Sequence, residues 1–114
     1  MSNVGTQLGF DLAQAGAARA AEHADRVHAD WQEKALAAFR EHALKHKEFT
    51  TEDVRLASTH VPAPPEERAW GQVATKARRQ GMCMKTDRFV PAKQAKSHGR
   101  WLAIWASNIT RSAA

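Results

Sequence analysis

The stretch from Glu66 to Ser107, EERAWGQVATKARRQGMCMKTDRFVPAKQAKSHGRWLAIWAS, contains one change of period, and that change decides the fold. In its first part Trp70, Val73, Ala74 and Ala77 recur at i, i+3, i+4 and i+7, the spacing of one buried side of a helix. Pro65 suits the first turn of that helix, and Glu66 and Glu67 favour the positive end of its dipole. Gly81 follows as a C-terminal stop. After it, MCMKTDRFVP and RWLAIWAS read as two strands, the second rich in aromatic and branched residues. The connection AKQAKSHG is long, basic and polar, and Gly99 suits the return into the second strand.

Upstream of this stretch the pattern is helical. The Val61-Pro62-Ala63-Pro64-Pro65 run must end any helix before it, because proline disfavours a helical residue in front of it. Thr50 and Asp53 have the spacing of a capping box, with Val54, Leu56 and Ala57 as a short apolar face. From Asp25 to His46, Trp31, Ala35, Ala38/Phe39 and Ala43 recur at three and four, widened by Leu36 and Leu44. Asp25 is the expected N-cap, and Lys45, His46 and Lys47 suit the negative end. Residues 7–22 are Ala-rich and helix-favouring, with only Leu8, Phe10 and Leu12 as large anchors. Such a helix is peripheral, frayed or used for self-association.

The order is therefore helix, short extended piece at Phe49-Thr50, helix, turn, helix, hairpin. That predicts a mainly α chain with a C-terminal β-hairpin (α+β), a winged helix-turn-helix preceded by an extra N-terminal helix. The expected divisions are an N-terminal arm over 1–22, a domain over 23–107 and a flexible tail over 108–114.

The 114 residues fit one domain, and 43% hydrophobic with 25% charged residues is ordinary globular usage. No run approaches the ~18 apolar residues of a membrane span. The N-terminus lacks a basic and then apolar leader, and one cysteine, Cys83, allows no internal disulfide. A cytoplasmic location is the expectation.

The net charge of +5 is unevenly placed. Residues 1–47 are neutral; residues 48–67 set Arg55 alone against Glu48, Glu52, Asp53, Glu66 and Glu67. Residues 68–114 set ten Lys/Arg against Asp87 alone, a net of +9. Segregation of that kind is expected where one face meets a polyanion. On the third helix Gln72, Thr75 and Lys76 are expected at base edges, and Arg68, Arg78 and Arg79 at phosphates. On the hairpin Lys85, Arg88, Lys93, Lys96, His98 and Arg100 are expected at the backbone or minor groove. Trp31 and Trp70 lie on apolar helical faces and should pack in the core. Trp101 and Trp105 share one strand face, Leu102 and Ile104 the other, and both cannot be equally buried in a simple hairpin. An exposed Trp there marks a partner surface.

Catalysis finds little support. His42 and His46 share a helical face, but Ala43, Leu44 and Lys45 between them supply no glutamate, and no cysteine pair exists. There is no glycine-rich phosphate loop. The expectation is a non-enzymatic protein without cofactor or metal.

Phe49-Thr50 with Glu52-Asp53-Val54-Arg55, then Pro64-Pro65, Arg68-Ala69-Trp70-Gly71, Ala77 and Gly81, and Ser97-His98-Gly99-Arg100 leading to Trp105, resemble a family of small proteins encoded by bacteriophages and prophages. The resemblance covers residues 49–105 and implies a winged-helix-like fold among phage replication, recombination or regulatory genes. It carries no catalytic residues. The combined expectation is a double-stranded-DNA-binding protein of phage replication or transcription control, acting in the host cytoplasm. The alternative is a phage protein that docks on a host protein or nucleoprotein complex, such as a defence system. A homodimer through the N-terminal helix is the expected self-association.

Overall fold

A computed structural model describes the backbone of residues 4–94 and 100–111, and the side chains of residues 13–94 and 100–111. The elements run α1 (Val4–Val27), α2 (Trp31–Lys45), β1 (Glu48–Phe49), α3 (Thr51–Ala57), α4 (Ala69–Arg79), β2 (Cys83–Pro91) and β3 (Trp101–Ser107). Four helices and a three-stranded antiparallel sheet make an α+β chain, with sheet order β1-β3-β2.

The helical periodicities predict the core well. Trp31, Ala35, Ala38, Phe39 and Ala43 of α2 and Trp70, Val73, Ala74 and Ala77 of α4 are all buried. Trp31 and Trp70 meet edge-to-face at 5.4 Å, as do Phe39 and Phe49. The Trp31 indole N–H donates to the Pro62 carbonyl at 2.8 Å, which satisfies its polar edge and pins the proline-rich turn. Truncating a ring of this kind costs about 3–5 kcal/mol.

Helix starts were read less well. The expected single helix from Asp25 is broken: α1 ends at Val27 and α2 starts at Trp31, with Asp30 between them at φ 59°. A left-handed aspartate is tolerated where a turn needs it. The N-cap of α2 is Asp30, not Asp25, and its side chain makes no capping bond; the Asp25 carboxylate, inside α1, instead accepts from the Gln32 backbone at 2.8 Å and from the Gln32 amide at 2.6 Å. At α4, Pro65 lies ahead of the helix rather than in its first turn, because residues 65–68 form a turn and Arg68 is the N-cap.

Other local signals match. The Thr50–Asp53 capping box is complete in both directions, at 3.1 and 2.9 Å. Gly81, at φ 79°, ends α4 in a Schellman arrangement, with Gly81 N–H donating to Arg78 and Met82 N–H to Ala77.

The N-terminal helix is no separate arm. It passes residue 22 without a break, buries Ala20, Ala21 and Ala24 in the core, and packs along α4. Small residues set this approach: a Cβ built on Gly71 would lie 3.6 Å from that of Ala17. At the other end Asn108 donates to Met82 and Arg111 to Leu44, and Ile109 packs on the core, so 108–111 is not a loose tail. Among the described residues no helix is long and apolar enough to cross a membrane.

Candidate nucleic-acid interface

With Trp70, Val73, Ala74 and Ala77 turned inward, the polar residues of α4 divide between two flanks. Thr75 and Arg78 fall beside Gly71, and there α1 and the hairpin close a cleft around them. Its walls include Gln14 and Ala17 of α1 and Lys85, Ala103 and Trp105 of the sheet. Lys76 and Arg79 fall on the other flank, in an open groove shared with Asp25, Asp30 and Glu33. The expected continuous basic face is thus two surfaces of different sign: one bordered by cations, the other mixed. Gln72 is half-buried, and the Thr75 hydroxyl donates back to the Gly71 carbonyl at 3.0 Å.

The hairpin has a bulge that keeps its faces in phase. Lys85 pairs with Trp105 and Phe89 with Ala103, so three residues of β2 lie opposite Ile104 alone. Two extra residues preserve the period-two alternation, which leaves Lys85, Phe89, Ala103, Trp105 and Trp101 on one face. The Thr86 hydroxyl bridges the gap, donating to the Ile104 carbonyl at 2.7 Å and accepting the Arg88 N–H at 3.1 Å. Near the helices this face packs: Cys83 is buried and the Trp105 indole donates to Thr51 at 3.0 Å. Farther out it is exposed. Phe89 is 52% and Trp101 65% exposed, and the Lys85 ammonium sits 6.0 Å from the Phe89 ring centroid.

Several expected contact residues already hold carboxylates. Arg88 reaches across β3 to Glu48, and Lys93 meets Asp53 at 2.8 Å. Arg68 meets Glu66 at 3.0 Å. Arg55 lies 3.5 Å from Glu67 and 3.9 Å from Glu52, and donates to Gln94. Glu52, only 6% exposed, accepts from the Lys93 backbone N–H at 2.8 Å and from Gln94 at 3.4 Å. The acidic segment 48–67 therefore clamps the base and the outgoing end of β2. Burial pushes the Asp53 carboxyl upward, but hydrogen bonds from Lys93 and Thr50 outweigh it and leave its pKa below the ordinary value. Lys93 is raised in turn by its bond to Asp53.

Among the described residues Lys76, Arg78, Arg79, Lys85 and Arg100 have no carboxylate within 4.0 Å. Arg78 and Lys85 share the cleft, while Arg100 lines an adjoining hollow of mixed charge with Glu52, Arg55, Glu67 and Arg68. Lys96 and His98 lie outside the described residues. Phe89, Gln14 and Ala17 were not singled out by sequence. No apolar alternation flags Phe89, because Lys85 and Asp87 at the same parity are charged, and the α1 residues carry no charge to draw notice.

Burial pushes the Cys83 thiol up to about 11, so it is not an activated nucleophile. The His42 and His46 rings stack at 4.1 Å, and burial, then His46, lowers the His42 pKa. Among the described residues no three His, Cys, Asp or Glu side chains are grouped to hold a metal. Comparison with protein-family models, with curated proteins and with solved structures finds no match to this chain.

Proposed function

We propose that the chain is a winged-helix nucleic-acid-binding protein, with α4 as the recognition helix and the β2–β3 hairpin as the wing. The observation that carries this reading is the cleft in which Arg78 of α4 and Lys85 of the hairpin lie together with no carboxylate partner among the described residues. The element order from α2 to β3 and the sheet order β1-β3-β2 support the winged-helix part of it. Phosphates are gripped by Arg78, Lys85 and Arg100, with Arg79 and Lys76 at the far flank. Arg68, Arg88 and Lys93 serve mainly to hold the hairpin and the turn before α4. No catalysis is assigned, and the phage setting is supported by the sequence resemblance alone.

Fluorescence anisotropy with labelled DNA, read over a series of salt concentrations, tests the proposal. Binding should weaken steeply with salt, because each neutralised phosphate releases counterions. Replacing Arg78 and Lys85 together by Ala should flatten the log–log slope by about two. Absence of binding at low salt overturns the reading.

A second reading has one observation in its favour. The groove of Asp25, Asp30 and Glu33 against Lys76 and Arg79 repels a polyanion on one wall and suits a protein segment of mixed charge. A nucleoprotein target would engage both flanks.

A further inference from the structure

We propose that Phe89 and Trp101 form a stacking platform for the unpaired bases of single-stranded nucleic acid, with Lys85 and Arg78 holding the adjoining phosphates. The proposal rests on the nucleic-acid reading above and names the form of the polymer. Three observations carry it. Phe89 and Trp101 lie on the same hairpin face, on neighbouring strands and two positions apart in register, since Phe89 pairs with Ala103 and Pro91 with Trp101. Diagonal neighbours of this kind are about 7–8 Å apart, a span that two successive bases or one base and its sugar can bridge. Both rings are more than half exposed on a chain whose other aromatic pairs meet in the core.

Charge decides what covers them. The platform is bordered by Lys85, whose ammonium lies over the Phe89 ring. The same face leads inward to Arg78. Asp87, the single carboxylate of residues 68–114, sits in the bulge. Rings beside cations that have no carboxylate within 4.0 Å among the described residues complement a strand that presents bases and phosphates in alternation. A protein partner of ordinary composition would leave these cations without counter-charge. Bases inside a duplex are already stacked on each other and cannot lie on the rings, so the platform selects unpaired strands. Sequence tolerance follows, because every base has a π-face.

The test uses the full chain with four probes of equal length: a dT oligonucleotide, an rU oligonucleotide, a DNA duplex and a duplex with a single-stranded overhang. Anisotropy at matched salt should rank the single strands and the overhang above the blunt duplex. Binding of dT should quench the fluorescence of the exposed Trp101. The Phe89→Ala and Trp101→Ala variants should each lose on the order of tenfold for the single strand, with duplex affinity and the salt slope unchanged. Equal losses on single strand and duplex, or a blunt duplex bound most tightly, overturn the platform while leaving the nucleic-acid reading intact. Failure of every probe at low salt overturns both. Self-association that vanishes in Trp101→Ala would assign the face to a second copy of the chain and likewise overturn the platform. Comparison of dT with rU separates a DNA from an RNA strand, because only the 2′-hydroxyl and the uracil edge differ. Far-ultraviolet circular dichroism of each variant guards against unfolding, and both side chains are exposed enough to be replaced.

Discussion

Two sets of cations on the β2–β3 hairpin are treated in opposite ways. Arg88 and Lys93 are matched to Glu48 and Asp53, and the buried Glu52 takes the backbone amides of Lys93 and Gln94. Lys85 and Arg100 have no such partner among the described residues, and Arg78 joins Lys85 in the cleft. The same residue types thus do two jobs: one set holds the hairpin to α3 and β1, and the other faces solvent with its charge unspent. A net of +9 over residues 68–114 overstates what a polyanion meets, because three of those cations are already engaged inside the fold.

Glu52→Ala tests the clamped side most severely. It strips a buried acceptor from two backbone amides and from Arg55, and should cost about 2–3 kcal/mol in urea denaturation. If that variant keeps wild-type stability, the clamp contributes nothing and the contrast fails. A smaller effect should separate the two sets of cations directly. Arg88→Ala should lower stability by less than about 1 kcal/mol, as exposed ion pairs do, and leave the salt slope of binding within half a unit. Arg78→Ala should leave stability unchanged and reduce that slope by about one. Identical behaviour of the two variants would remove the distinction between structural and free charge.

The smallest expected effect is a pH dependence on the clamped side. His42 has a folded-state pKa below 6.5, set first by burial and then by His46. The unfolded chain therefore binds more protons than the folded one between those two values. This contribution to stability is complete above pH 6.5 and is lost as pH falls through the window below it. Denaturation midpoints between pH 5 and 7 should show the slope, and His42→Gln should flatten it.

What was legible in the sequence was local. The stripes of α2 and α4, the Thr50–Asp53 box, the Gly81 stop and both strands of the hairpin depend on neighbours within about four residues, or on simple alternation. Ion pairing was not legible, since no spacing reveals that Glu48 will face Arg88 forty residues later. Nor was the place of α1. An alanine-rich helix looks weakly anchored in one dimension, yet close backbone approach at Gly71 and Ala17 lets small side chains fill a core. The break before α2 escaped notice because Asp25, which bonds across it to Gln32, reads in sequence as the start of a longer helix. Splitting of the α4 cations between two flanks needed the positions of α1 and the hairpin, which periodicity cannot supply.

The bulge opposite Ile104 imposes an arithmetic rule on change of length. Loss or gain of a single residue between Lys85 and Phe89 would turn every side chain of β2 beyond it to the opposite face, taking Phe89 off the face it shares with Trp101 and presenting its neighbours instead. Loss of two would straighten the strand and keep the order of faces. Length variation in this segment should therefore come in pairs, and an odd insertion would be a simple way to uncouple the outer part of the hairpin from α4.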